Sequence, residues 1–166
     1  VQYASATAST WSVTPLTGIN LAPGQYFLIQ ETSGGANGAI LPTADATGSI
    51  SLAAGSGKVA LVRSMASLSG TCPSDVNIVD LVGYGSTANC FEGNAAAPAP
   101  SNTMAIVRGN SGCVDTAHNS LDFTSSAPAP RNTSSPLHAC SIVSNISPLL
   151  DEFWWSLLLN VVALTG

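Results

Sequence analysis

Two runs, Lys58–Arg63 (KVALVR) and Val76–Tyr84 (VNIVDLVGY), decide how the rest of the chain is read. In the first, Val59, Leu61 and Arg63 point one way while Ala60 and Val62 point the other. In the second, Val76, Ile78, Asp80 and Val82 alternate with Asn77, Val79, Leu81 and Gly83. A period of two, rich in β-branched residues and bounded by Gly57 and by Gly83-Tyr84-Gly85, predicts two strands. A long polar connection carrying Cys72 joins them. Nearly every position is apolar, so both strands are expected to be covered on both faces, as in the middle of a sandwich.

Working outward, Val1–Ala4 and Thr10–Thr14 alternate well enough for two short strands. Leu21-Ala-Pro-Gly24 is a turn signal, with Pro at the first corner and Gly after it. Gln25–Glu31 (QYFLIQE) and Thr47–Leu52 (TGSISL) read as strands around a Gly- and Ala-rich loop, Ser33–Ala46. Gly85–Ser101 is turn-rich, and Thr103–Arg108 (TMAIVR) is the last clear strand. From Gly109 to Cys140 the chain reads as loop, because Pro128, Pro130 and Pro136 block regular structure. No repeat and no amphipathic helix is visible. The pattern predicts an all-β chain, a two-sheet antiparallel β-sandwich.

At 166 residues the chain is long enough for one domain with a real core. Only 8% of its residues are charged, against about 25% in an ordinary soluble domain. Hydroxyls and amides supply the polarity, which suits an extracellular β protein. The net charge is −5, and Lys58, Arg63, Arg108 and Arg131 are scattered. No basic stripe exists to neutralise phosphates, so nucleic acid is not an expected partner. The start at Val1, without Met or a signal peptide, reads as a mature form or a piece.

Cys72, Cys90, Cys113 and Cys140 form no C-x-x-C pair, and the chain has only two histidines, which argues against zinc. An even count in such a chain predicts two disulfides and an oxidising compartment, hence a secreted or cell-surface protein. Three connectivities are open. Sequential pairing, Cys72 with Cys90 and Cys113 with Cys140, closes the shortest loops and is the one expected.

The chain divides at residue 140. Beyond it, residues 141–166 form an apolar C-terminal extension whose run Phe153–Leu164 is broken only by Ser156 and Asn160. That run is short for a membrane span and has no basic flank, so a membrane is not the expected partner. Exposed apolar patches of this size need a cover. Phe153, Trp154, Trp155, Leu157, Leu158, Leu159, Val161 and Val162 are therefore expected to carry assembly.

Val82-Gly-Tyr-Gly85, Cys90-Phe-Glu-Gly93 and Pro130-Arg-Asn132 are the most specific pieces of a longer ordered pattern over residues 1–140. In these the chain resembles the lamin-tail domain of secreted bacterial proteins. The resemblance implies an immunoglobulin-like β-sandwich that is not itself an enzyme, a binding or scaffolding attachment of extracellular nucleases, phosphatases or other surface proteins. Family members carry further N-terminal strands, and nothing in the family matches the apolar extension. The expectation is an open edge or face that the extension covers, in its own subunit or in a neighbour. The second arrangement would build a filament by donated strands.

Other chemistry is thin. Asp115, Asn119 and Asp122 have spacing suggestive of a small calcium loop, but Ala117 sits where a third carboxylate would help. They read instead as Asx-turns beside a disulfide. His118 and His138 lack a strained nucleophile turn of the G-x-S-x-G kind and read as loop residues. Gly55-Ser56-Gly57 reads as a hairpin turn. Glu31, Asp80 and Glu92 are far apart in sequence, and nothing marks a glycosidase pair. Asn132-Thr-Ser134 and Asn145-Ile-Ser147 fit the N-glycosylation pattern. Trp11 reads as core, and Trp154 with Trp155 as a packing anchor rather than a carbohydrate platform. The expectation is a non-catalytic extracellular structural or binding module without cofactor, with protein partners, self-assembling through its tail. The alternative is an accessory domain of a larger extracellular hydrolase, a nuclease or phosphatase.

Overall fold

A computed structural model of the chain describes residues 1–33 and 39–140. Asn145 and the apolar run Phe153–Leu164 lie outside the described residues. The elements are β1 (Gln2–Ser5), β2 (Ser12–Val13), β3 (Ile29–Gln30), β4 (Ala46–Thr47), β5 (Gly57–Val62), β6 (Ile78–Tyr84) and β7 (Ala105–Arg108). A 3₁₀ turn at Asn110–Gly112, a one-turn helix α1 (Asn119–Asp122) and β8 (Phe123–Ser126) follow. The described residues are thus strand-rich with very little helix.

The main sheet is antiparallel with strand order β2-β1-β5-β6. Alternation along β5 and β6 sorts their side chains onto two faces. Val59 and Val82 pack with Tyr3, Tyr84, Ile50, Ile106 and Phe123 on one face. Ala60 and Leu81 pack with Ala4, Trp11, Leu68 and Cys90 on the other. Both faces are therefore covered. Burying each of the larger side chains stabilises by about 1.5–3 kcal/mol, an upper-end value.

Register explains one departure from simple alternation. Leu61 pairs with Asp80 but Val62 pairs with Ile78, so Val79 bulges out of the ladder. The bulge lets Ile78 join Val62 on the Trp11 face while Asp80 stays on the Val82 face. Val76 precedes the strand and is exposed.

Two glycines make the end of β6 possible. A Cβ on Gly83 would lie 2.0 Å from the Cys90 carbonyl oxygen, so only glycine lets that segment cross the strand. Gly85 has φ +78°, and a Cβ there would lie 2.0 Å from the Gly55 carbonyl oxygen. Gly55 and Ser56 lead directly into β5 at Gly57.

Three segments differ from the sequence reading. Only Ile29–Gln30 of the predicted strand 25–31 pairs, and its partner is β4, in parallel. The N–H of Leu28 is taken by the Asp45 carboxylate at 2.7 Å instead of by a strand. Thr47–Leu52 is largely irregular because Glu31 occupies the place of a neighbour: its carboxylate accepts from Thr14 Oγ1 at 2.5 Å and from the Ile50 N–H at 2.9 Å. Third, Phe123–Ser126 lies in the region read as loop, yet pairs antiparallel with β7 from Ala105↔Ser126 to Arg108↔Phe123. Its three hydroxyl residues hide the alternation, and the prolines all come after it.

The structure contains both sequential bridges, Cys72–Cys90 and Cys113–Cys140. The first ties the β5–β6 connection to the segment beyond β6. The second ties the loop after β7 to residue 140. Closing loops with sequence separations of 18 and 27 residues stabilises by roughly 3–4 kcal/mol each in the chain-entropy account.

Candidate functional site

The densest group of ionisable side chains forms where β6, β7 and α1 meet. Arg108 ends β7 and is buried. Its Nη2 donates to Asp80 Oδ2 at 2.5 Å, and its Nη1 donates to the Val114 carbonyl oxygen at 3.2 Å. The same Nη1 lies 3.3 Å from Asp115 Oδ1 and 3.7 Å from Asp122 Oδ2. The guanidinium carbon sits 4.5 Å from the Phe123 ring centre, a cation–π contact across the β7–β8 pair.

Each carboxylate responds to its surroundings differently. Burial alone would raise the pKa of Asp122. The Thr116 hydroxyl at 2.7 Å, the N–H groups of Thr116 and His118, and Arg108 outweigh it and hold the pKa below the usual aspartate value. Burial raises the pKa of Asp80 despite its bond to Arg108, and its Oδ1 is buried with no hydrogen-bond partner. Burial pushes Glu92 up to about 7, with Asp80 and Asp115 adding repulsion and Arg108 relieving part of it. Glu92 thus titrates near neutral pH, as a general acid or base does.

Asn119 joins this group to the sheet. Its Oδ1 accepts the Gly83 N–H at 2.8 Å and the Glu92 N–H at 3.2 Å. Its Nδ2 donates to the Leu81 carbonyl oxygen at 3.0 Å and to Glu92 Oε2 at 3.3 Å. A primary amide carries both a donor and an acceptor, so one side chain does here what a neighbouring strand does elsewhere. The Ala97 N–H continues the row by donating to the Gly83 carbonyl oxygen at 2.8 Å.

Asp115 and Asp122 both approach Arg108 Nη1, whereas the Asn119 amide turns to Gly83, Leu81 and Glu92. Asp122 and Asn119 spend their oxygens on N–H and O–H donors, and Asp115 faces Arg108. Among the described residues no group of three or more His, Cys, Asp or Glu is placed to hold a metal ion. His118 packs on Gly93, where a Cβ would meet its Nδ1, while the His138 N–H donates to the Gly24 carbonyl oxygen. Asp80 and Glu92 are electrostatic neighbours, whereas Glu31 is engaged with Thr14 and Ile50. The Asn132 amide nitrogen of the first glycosylation pattern donates to the Thr43 carbonyl oxygen at 2.9 Å.

Trp11 is buried, its Nε1 donating to the Gly70 carbonyl oxygen at 3.0 Å. Beside it lies Lys58, a residue with no counterpart among the expected site residues. Its Nζ donates to the Ala8 and Thr71 carbonyl oxygens and to Asn89 Oδ1 at 2.8, 2.6 and 2.9 Å. Tyr26 donates to the Ser111 carbonyl oxygen at 3.1 Å and accepts from Arg131 Nη1. Asp45 accepts from both the N–H and the hydroxyl of Thr133.

An open groove of about 500 Å³ lies beside β2 and the end of β5. Val13, Leu16, Ile19, Leu21, Val62 and Met65 supply its apolar wall, and Arg63 lines it as well. Comparisons with protein-family models, with curated proteins and with solved structures give no match to this chain.

Proposed function

We propose that the chain is a non-catalytic extracellular structural or binding module of the lamin-tail type, with an immunoglobulin-like sandwich and protein partners. In this reading the apolar run Phe153–Leu164 is its association segment. The observation that carries the proposal is the use made of buried polar groups. Arg108, Asn119 and Lys58 fasten loop backbone to the sheets and Asp122 fastens it to α1, so these buried polar groups are spent on architecture. The sandwich is supported by Ile106 and Phe123 of the β7–β8 pair lying on the Val59 and Val82 face of the main sheet. Two disulfides favour an oxidising compartment.

Glu92 supplies the test. The full chain is incubated with a chromogenic phosphodiester, a phosphomonoester and a glycoside between pH 5 and pH 8 (roughly the range over which a Glu92-dependent step would switch). The expected result is no turnover above the blank. Turnover that Glu92→Gln abolishes would overturn the proposal and place a general acid or base at that carboxylate.

A further inference from the structure

We infer that the groove beside β2 binds a small amphipathic carboxylate, an apolar chain ending in one anionic head, with Arg63 holding the head. The inference goes beyond the association role and does not depend on it. A volume of about 500 Å³ falls in the range of small-ligand sites, which are mostly apolar with a few placed polar groups. Leu16, Ile19, Leu21, Val62 and Met65 give the groove such a wall. Two of them stand open to an occupant, since Met65 is 64% exposed and Ile19 37% exposed. Large apolar side chains left in water around one concavity mark an interaction site, which scattered ones do not.

Charge decides which apolar ligand fits. The chain carries nine acidic side chains and four basic ones, yet no Asp or Glu lines this groove. Glu31 touches the lining residue Thr14, but its oxygens are bonded to the Thr14 hydroxyl and the Ile50 N–H. Three of the four cations are already engaged. Lys58 donates to three oxygens, Arg108 is paired with Asp80, and Arg131 donates to Tyr26 and stacks on its ring.

Arg63 is the exception. Its side chain is exposed and makes no ion pair or hydrogen bond with another described residue. Its backbone is fixed, the N–H donating to the Asn77 carbonyl oxygen at 2.8 Å just before β6. A guanidinium offers a carboxylate two parallel N–H donors, so a chain laid along the apolar wall can end on a paired charge. The same ligand has no such partner across Pro15–Leu21. The concavity on that side is lined by Asp45 and by no basic residue.

Isothermal titration of the full chain with decanoate tests this at about pH 7, where a carboxylate is ionised. Decyltrimethylammonium, with the same chain and a cationic head, is the control, and both probes stay below their micelle concentrations. One decanoate per chain is expected, with the cationic probe at least about tenfold weaker. Arg63→Ala and Met65→Asp should each weaken decanoate about tenfold, the worth of a charge-assisted hydrogen bond. Both residues are exposed, so neither change disturbs the core, and the cationic control needs no variant. Absence of decanoate binding, equal binding of the two probes, or binding that both variants leave unchanged overturns the inference. So does binding that weakens as protein concentration rises, since a second copy would then cover the groove. Binding to phosphatidylglycerol vesicles without binding to free decanoate overturns it too, since a lipid surface would then be the occupant. None of these outcomes touches the association role, which is read from the assembly state.

Discussion

Asn119 stands beside Gly83 where a further strand would otherwise run, its Oδ1 accepting the Gly83 N–H at 2.8 Å with the residue fully buried. The same amide closes on the Leu81 carbonyl oxygen and on Glu92, so the outer side of β6 is completed by this side chain and, beyond it, by the backbone of Ala97. Asn119→Ala leaves the Gly83 N–H and the Leu81 carbonyl oxygen buried without partners. The expected loss is about 3 kcal/mol of unfolding free energy, read by denaturant titration. Asn119→Asp should lose more at pH 7, because it removes the donor to Leu81 and adds a charge beside Glu92. A loss under about 1 kcal/mol for both variants would show that this side of β6 does not depend on the amide.

Glu92 gives the protein a pH dependence of definite sign. Its pKa is pushed from 4.5 up to about 7, chiefly by burial and then by Asp80 and Asp115. The folded state therefore binds a proton more tightly than the unfolded state between those values. Its contribution to stability is fully present below pH 4.5 and is lost as pH rises through 7. Thermal unfolding followed from pH 5 to pH 8 (roughly spanning that loss) should show Tm falling, with a shallower fall in Glu92→Gln. A fall of equal slope in the variant would assign the dependence to another group.

Lys58 is expected to be as costly to remove as any core residue. Its ammonium gathers the loops at Ala8, Thr71 and Asn89, two of them next to the Cys72–Cys90 bridge. Lys58→Met keeps the aliphatic stem but removes the donor shared by three loop acceptors, and should cost about 1–3 kcal/mol. Lys58→Arg should not rescue it, since a planar fork does not match three acceptors gathered around a point. Full rescue by arginine would mean that charge alone matters at this place.

What was legible in the sequence was periodic. The alternation in Lys58–Arg63 and Val76–Tyr84 marked both strands, and Val59 with Val82 and Ala60 with Leu81 pack on the two faces it assigned, while Ile78 changes face at the bulge. What was hidden is aperiodic. Asp45 and Glu31 take over backbone hydrogen bonds at Leu28 and Ile50, and a side chain that replaces a strand leaves no repeat to read. The bulge at Val79 was invisible because Val79 is as apolar and β-branched as Ile78 before it. Lys58 did leave a signal. It lies on the same face as Ala60, so a lysine at that position in a strand covered on both sides needs buried acceptors. The meeting of Asp80, Arg108, Glu92 and Asn119 spans 40 residues of chain, and no local pattern announces it.

The central claim is that this is a binding module whose apolar segment carries association. Sedimentation velocity of the full chain, from about 5 µM to about 1 mM, tests it most directly, alongside the variant Leu158→Asp. The account predicts a monomer at the low end and larger species as concentration rises, with Leu158→Asp remaining a monomer throughout. A parent chain that stays monomeric over the whole range, or a variant that assembles as the parent does, would contradict it.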